Sequence, residues 1–244
     1  MTYFQLPLGF FPINTRSNLL TLAFKQTPEI QFAKHTFNLR YHINGDELNL
    51  LGSWVSLPTA RVRIAFAEKG VTDYESREED LINKSPLLFK LNHVHKLIPV
   101  LNHNGKPLFE SLIIVEYINE VWNHKSPLLP SDPHHQSHAR FWANYVDKKI
   151  YSLVRPLFLS TGKAKEEAKN DLVGCFKVLG GELGDKPYFG GEIFGIVDVA
   201  LNQFYSFFYT FEQNGNFGMV AECPKLVRAH RCLKKDSLSK ALPS

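Results

Sequence analysis

The apolar positions in the middle of the sequence alternate between short runs and helical spacing. The short runs predict four strands: Leu48–Gly52, Val71–Glu75, Leu97–Leu101 and Pro107–Phe109. The last two flank Asn104-Gly105, a strong hairpin signal. Helical spacing predicts helices over Thr59–Lys69 and over Ser111–Val121, the second of which Ser111 can cap. This order mixes parallel and antiparallel connections, so it predicts a thioredoxin-like α/β domain over residues 46–122.

Strand signals almost disappear beyond residues 123–133, where three prolines stand among serine and aspartate as in a linker. Apolar faces at helical spacing then predict four helices: Pro133–Leu159, Lys165–Leu183, Asp198–Tyr209 and Pro224–Lys235. Phe194 before Gly195, followed by Asp198, is typical of a hydrophobic staple with an acid at the third helical position. We therefore predict an all-helical bundle domain over residues 134–244.

The first 45 residues do not share these patterns. They hold four basic residues and one acid, which leaves 24 basic and 23 acidic residues in the rest of the chain. Low acid content favours a transit peptide, whereas modest arginine and serine content does not. We therefore expect residues 1–45 to be a flexible extension, or sequence that does not belong to the folded protein, rather than a targeting signal. We do not expect secretion, because no apolar segment precedes a small-residue cleavage site.

Composition excludes several classes of protein. Hydrophobic residues make up 44% and charged residues 21% of the 244 positions, as in an ordinary globular protein. No apolar run approaches the roughly 18–20 residues that span a bilayer, so we expect no membrane partner. The nearly neutral body carries no basic face alternating with aromatics, so we expect no nucleic-acid partner either. Three scattered cysteines predict a reducing compartment.

Short motifs extend over most of the body. In the first half they are Trp54-Val55-Ser56, Arg61–Gly70, Asn83-Lys84-Ser85-Pro86, Ile98-Pro99-Val100-Leu101 and Glu110-Ser111-Leu112-Ile113. In the second half they are Pro127–Pro130, Arg140-Phe141-Trp142, Lys186–Gly191 and Glu222–Leu226. With these motifs the chain resembles the plant tau-class glutathione transferases from about Glu47 to Ser244. The resemblance implies the same two-domain fold and glutathione as co-substrate, with no metal.

The family's chemistry depends on ionising the glutathione thiol, since the thiolate is the nucleophile. The resemblance implies that Ser56 performs this role as a hydrogen-bond donor to the sulfur. Ser56 precedes the predicted Thr59–Lys69 helix, whose free N–H groups and dipole favour an anion. Position 56 is not cysteine, which argues against thiol-transfer chemistry through a mixed disulfide.

The resemblance also assigns partners to the rest of the tripeptide. Glu110 and Ser111 would hold the γ-glutamyl end, the carboxylate facing the amino group and the hydroxyl facing the α-carboxylate. Ile98 would pair main chain to main chain with the cysteinyl unit, as an added strand does. Pro99 would be a cis proline that exposes this edge, and Lys84 would face the glycyl carboxylate.

The chain departs from the family at three places. Leu97 stands where relatives usually have a lysine, and Lys96 lies one residue earlier. Leu57-Pro58 replaces the usual Pro-Phe after the serine, which bears on the shape of that loop. Relatives usually continue further than Ser244, so we expect a pocket for the electrophile that rests on these residues: Tyr151, Arg155, Phe158 and the aromatic run Phe204–Phe211. Tyr151 and Phe158 fit a core position equally well.

We therefore expect a cytosolic transferase, active in detoxification, glutathione metabolism and stress response, that conjugates glutathione to hydrophobic electrophiles. The alternative is a non-catalytic ligand-binding or interaction protein on the same scaffold. The resemblance implies a homodimer. His134, His135 and His138 share a predicted helix, but no acid or cysteine stands at a suitable spacing, so we expect no metal site there.

Overall fold

The computed structural model describes residues 47–125, 127–205 and 207–233, with side chains up to residue 230. The predicted leader, residues 1–45, lies outside this part, as do residues 234–244 and the predicted end of the last helix at Lys235. The structure therefore does not test the leader. In the part that it describes, no helix is both long enough and apolar enough to cross a membrane.

A mixed four-stranded sheet forms the first half of the described chain. Its strands are β1 (Leu48–Gly52), β2 (Glu75–Glu78), β3 (Val100–His103) and β4 (Lys106–Phe109). Their order is β2-β1-β3-β4, with β1 parallel to β2 and antiparallel to β3. The predicted hairpin between β3 and β4 is confirmed: Asn104 and Gly105 form its turn, with φ of 52° and 76°.

Two strand predictions are wrong in position. Val71–Glu75 is not a strand, because Val71 donates its N–H to the carbonyl of Phe66 at 2.8 Å and its side chain packs on the core. The strand β2 that follows lies at the sheet edge and is mostly exposed, so it has no apolar pattern. The strand predicted from Leu97 begins only at Val100, after Pro99, which has no N–H for a ladder.

Three helices accompany the sheet: α1 (Leu57–Glu68), α2 (Pro86–Leu91) and α3 (Ser111–Val121). The prediction for α3 has the correct bounds, whereas α1 begins earlier than predicted and the pattern did not predict α2. The start of α1 packs very closely on the end of β1. A Cβ at Gly52 would lie only 2.3 Å from Cγ2 of Thr59, so only glycine allows this approach.

In the described residues from 133 onward, the regular elements are helices, apart from two isolated β-bridges that pair Tyr188 with Gly191 and Gly190 with Ile193. The helices are α4 (Pro133–Tyr145), α5 (Tyr151–Leu159), α6 (Gly162–Leu183), α7 (Ile196–Tyr205), α8 (Phe208–Gly215), α9 (Met219–Glu222) and α10 (Pro224–Leu233). The predicted single helix Pro133–Leu159 is interrupted by a π-helical turn over Val146–Ile150. The predicted helix Asp198–Tyr209 is two helices that meet near Phe207.

The helix α7 connects the two halves. Its described side chains are buried all round, as its apolar sequence predicts, and it packs against α1, α3 and α4. At its start the carboxylate of Asp198, the third residue of the helix, accepts the N–H groups of Gly195 at 2.9 Å and Phe189 at 3.1 Å, which confirms the predicted acid at the third helical position. Burial raises the pKa of this carboxyl to about 7, although the two hydrogen bonds oppose the shift.

Candidate active site

An open cleft of about 100 Å³ lies between the sheet half and the helical half. Its lining combines residues from loops and helix starts of both halves: Ser56, Pro58, Asn92, Leu97, Ile98, Pro99, Glu110, Ser111, Asp147 and Tyr151. Six of these residues were assigned to the site from the sequence: Ser56, Ile98, Pro99, Glu110, Ser111 and Tyr151. The cleft therefore gathers positions that lie almost one hundred residues apart in the chain.

Ser56 lies at the N-terminus of α1, facing this cleft. It is the N-cap residue, and its Oγ accepts the N–H of Thr59 at 3.3 Å. A hydroxyl can accept and donate at the same time, so this cap leaves the O–H for a ligand. Pro58 occupies the first turn of α1, where its missing N–H costs nothing. Leu57-Pro58, which stands in place of the usual Pro-Phe, therefore still leaves Ser56 at the start of α1.

A carboxylate from the sheet edge fixes the loop before Ser56. Oε1 of Glu78 accepts the hydroxyl of Ser53 at 2.7 Å and the N–H of Trp54 at 2.8 Å. The main-chain N–H of Ser56 in turn donates to the carbonyl of Ser53 at 3.1 Å. These hydrogen bonds fix the loop that connects β1 to α1, and the fixed loop in turn positions the hydroxyl of Ser56.

The lining also contains a cis peptide bond between Ile98 and Pro99, as the resemblance implies. The preceding turn is held by Asn92, which is 2% exposed and donates its side-chain N–H to the carbonyl of Leu97 at 2.9 Å. Among the residues described, none forms a hydrogen bond with the main chain of Ile98. Its N–H and carbonyl are thus available to a peptide-like ligand in the cleft.

The start of α3 brings Glu110 and Ser111 into the cleft, with one correction to the prediction. Ser111 is the first residue of α3 and does not cap it, since the N-cap position belongs to Glu110. Glu110 has a φ of 67°, a left-handed conformation that is uncommon outside glycine. Its carboxylate makes no cap bond and is instead 2.7 Å from Nδ1 of His95.

Sequence reasoning missed a buried charge network beneath the cleft. Arg61 on α1 is fully buried, and its Nη1 donates to Oγ of Ser111 at 3.1 Å and to the carboxylate of Asp147. The π-helical turn carries Asp147, and such wide turns are frequent at functional sites. Nε and Nη2 of Arg61 have no hydrogen-bond partner within the described residues. The sequence contained one signal of this network. Arg61 lies four positions before Ala65, so it shares the apolar face of α1, where a charged side chain is unusual.

The structure does not bring Lys84 to the cleft lining. Its Nζ donates to the carbonyl of Lys96 at 2.9 Å, so this lysine braces the turn that leads to the cis proline. The ammonium of Lys96 lies 5.8 Å from the ring centre of Phe89. Neither side chain lines the cleft in this arrangement, so a role in holding the glycyl carboxylate stays a prediction for Lys84.

The residues predicted for the electrophile pocket separate into two groups. Tyr151 lines the cleft at the start of α5, whereas Arg155, one turn later, is exposed and does not line it. Phe158 packs on the core, with its ring centre 6.1 Å from that of Phe211. The side chains of Phe204, Phe207, Phe208 and Phe211 are buried in the core, so the aromatic run does not line this cleft.

The histidines considered for a metal have a closer acidic neighbour than the sequence suggested. Asp132, His134 and His135 offer ligand atoms within 4.8 Å of one another, so the expected lack of an acid at suitable spacing was wrong. All three side chains are exposed, and Asp132 already caps α4 by accepting the N–H of His135 at 2.9 Å. His138 instead accepts a hydrogen bond from the indole of Trp142 at 3.2 Å.

Comparisons with known proteins agree with the geometry. The family model "Glutathione S-transferase, N-terminal domain" matches residues 47–120. A probable glutathione S-transferase of Nicotiana tabacum, parC, is 56% identical over 200 residues, which cover 81% of this chain and 90% of that protein. The chain belongs to the glutathione S-transferase family. Glutathione S-transferase 3 of Glycine max is 54% identical over 199 residues, with the same two coverages of 81% and 90%.

Solved structures place the chain in the tau class of this family. Rice GST1 in complex with glutathione superposes with a TM-score of 0.77 at 40% identity, over 83% of this chain and 92% of that one. The tau-class enzyme of mango, Mangifera indica, superposes with a TM-score of 0.76 at 37% identity, over 81% and 93% of the two chains. The predicted fold, a thioredoxin-like half followed by a helical half, is thereby confirmed.

Proposed function

We propose that this chain transfers glutathione to hydrophobic electrophiles. The observation that supports this most strongly is the position of Ser56, which lines a cleft at the N-terminus of α1 together with the main-chain segment Ile98-Pro99. In the reaction the thiol proton passes to solvent and the sulfur attacks the electrophilic carbon. A C–S bond forms, and the leaving group departs with its electron pair.

Ionisation of the thiol is the step that Ser56 would assist. A free thiol has a pKa of roughly 8.5, so only a few per cent is ionised at neutral pH. A hydrogen bond from Oγ to the sulfur stabilises only the charged form, and the helix dipole adds to it. Since one pKa unit corresponds to about 1.4 kcal/mol, the two effects together supply about one to two units.

The remaining groups of glutathione find matching chemistry along the cleft. Ile98 offers a main-chain N–H and carbonyl to the cysteinyl unit. Glu110 offers a carboxylate to the γ-glutamyl ammonium, and Ser111 offers a hydroxyl and a helix start to the α-carboxylate. Arg61 places a buried positive charge behind Ser111, and this charge adds to the attraction for the α-carboxylate.

We assign the acceptor side of the cleft to Tyr151, which lines it. Arg155 and Phe158, which the resemblance also assigns to this pocket, lie outside the lining on the same helix α5 and are not part of this assignment. An aromatic wall suits hydrophobic electrophiles. We also propose a homodimer in the cytosol, in keeping with detoxification and stress response. Light scattering that shows only monomer, or a fluorescent fusion directed to an organelle, would contradict these two parts of the proposal.

The test combines binding with turnover. We expect the wild-type chain to be retained on immobilised glutathione and to conjugate a chloronitroarene. Ser56→Ala should lower the conjugation rate about 10²-fold, as the loss of one donor to a developing anion does. Ser56→Thr, which keeps a hydroxyl, should recover part of this rate, and Ser137→Ala serves as control because that serine is exposed on α4.

Two results would weigh against the proposal. Retention on glutathione without turnover by the wild type would favour the non-catalytic scaffold. A wild-type rate in Ser56→Ala would remove the role of the hydroxyl. Loss of the N-cap costs only about 1 kcal/mol, so a melting curve suffices to show that the variant is folded.

A further inference from the structure

The turn between α2 and the cis proline carries a histidine beside the cleft. Nδ1 of His95 lies 2.7 Å from Oε1 of Glu110, and the two side chains are 51% and 53% exposed. A carboxylate can only accept hydrogen bonds, so Nδ1 is the nitrogen that carries the hydrogen in this contact. Within the described residues no other group bonds the Glu110 carboxylate.

The position of His95 is itself fixed by a buried amide. Its main-chain N–H donates to Oδ1 of Asn92 at 3.0 Å, while Nδ2 of Asn92 donates to the carbonyl of Leu97 at 2.9 Å. The main-chain carbonyl of Asn92 accepts the N–H of Lys96, also at 2.9 Å. The turn is therefore anchored on both sides of His95, which restricts the ring to the region near Glu110.

Glu110 needs such a partner because its own backbone does not orient its side chain. It occupies the N-cap position of α3 with a φ of 67° and makes no side-chain cap bond. A half-exposed glutamate without a partner would lose rotamer freedom each time that it binds a ligand, and this entropy loss weakens binding. A neighbour that already holds one carboxylate oxygen reduces that cost.

We propose that His95 is a positioning residue for glutathione: its Nδ1–H holds Oε1 of Glu110 and leaves Oε2 directed to the γ-glutamyl ammonium. This inference rests on the proposed function. His95 acts through Glu110 and does not touch the reacting sulfur, so it changes the affinity for glutathione and not the rate of the chemical step.

The first test compares His95→Ala with His95→Asn and with the control His93→Ala, an exposed histidine in the same turn. Exposed pairs of this kind contribute little, so His95→Ala should raise KM for glutathione about two- to fivefold with kcat unchanged. His95→Asn places an amide N–H near the position of Nδ1 and should restore most of the affinity. His93→Ala should match the wild type. An unchanged KM in His95→Ala would overturn the proposal.

The second test uses a glutathione analogue that lacks the γ-glutamyl amino group. If His95 acts through Glu110 on the ammonium, the loss of kcat/KM caused by His95→Ala should vanish with this analogue. A loss of equal size with both substrates would mean that His95 serves another part of the tripeptide, and would overturn the proposal. A wild-type chain that neither binds nor conjugates glutathione would instead refute the proposed function itself.

Discussion

The buried ion pair between Arg61 and Asp147 gives the most demanding prediction about how the site is supported. Arg61 is fully buried, whereas the side chain of Asp147 is 40% exposed. Asp147→Ala leaves a buried guanidinium without its charged partner, and breaking such a pair costs about 3–5 kcal/mol. The partial exposure of Asp147 allows water to reach the site, so we expect about 3 kcal/mol, the lower end of that range.

Urea unfolding at one fixed protein concentration measures this cost. With an m-value of about 2–3 kcal/mol/M, the midpoint for Asp147→Ala should fall by about 1 M. Asp147→Asn keeps an oxygen that accepts the Arg61 hydrogen bond but loses the charge, so its midpoint should lie between those of the wild type and Asp147→Ala. The matched control is Asp185→Ala, since Asp185 pairs with Arg228 at the surface and is 92% exposed. A surface pair contributes about 0–1 kcal/mol, so its midpoint should barely move.

Asp147→Ala should also weaken the use of glutathione as a substrate, because Nη1 of Arg61 donates a hydrogen bond to Ser111. When Arg61 loses its anchor at Asp147, this donor is no longer held behind the hydroxyl. We expect kcat/KM for glutathione to fall about tenfold, which corresponds to about 1.4 kcal/mol. An Asp147→Ala protein with the stability and kcat/KM of the wild type would refute the reasoning about this network.

Three further predictions follow from single contacts. Glu110→Gln should lower kcat/KM for glutathione about tenfold through loss of a charge-assisted bond, with kcat unchanged; an unchanged ratio would contradict the role of this carboxylate. Because burial raises the pKa of Asp198 to about 7, the folded state binds its proton more tightly than the unfolded chain, so stability should fall as pH rises from about 4 to 7. Relative to Asp198→Asn, the wild type should lose about 2–3 kcal/mol between pH 5 and pH 8 in chemical unfolding, and parallel profiles would contradict this. Gly52→Ala, whose Cβ would lie 2.3 Å from Cγ2 of Thr59, should cost about 1–3 kcal/mol, part of which Thr59→Ser should recover in thermal melts.

Local patterns predicted the elements that depend on neighbouring residues. The Asn104-Gly105 hairpin, the bounds of α3 and the acidic cap at Asp198 all depend on contacts within a few positions. The polar edge strand β2 was missed because its pairing partner, and not its own pattern, makes it a strand. The π-helical turn at Val146–Ile150 was missed because the apolar residues Trp142, Val146 and Ile150 lie four positions apart, a spacing that also fits an α-helix.

The site residues also divide into those that a local pattern predicted and those that only the tertiary fold brings together. Ser56 stood out because it precedes a helix within a dense motif, whereas Asp147 lies 86 positions from the arginine that it pairs with. No spacing rule connects two residues that tertiary folding alone brings together. Ser111 was predicted to cap α3 from its residue type, but it is the first residue of the helix, and its hydroxyl oxygen accepts a hydrogen bond from the buried guanidinium of Arg61.

The titration of the glutathione thiol in the bound state tests the central claim most directly. Thiolate absorbance recorded against pH, with saturating protein, gives the pKa of the bound sulfur. We predict a pKa about one to two units below that of free glutathione in the wild type, and a return close to the free value in Ser56→Ala. A bound thiol that titrates like free glutathione in the wild type, or that stays equally acidic without the hydroxyl, would contradict the account.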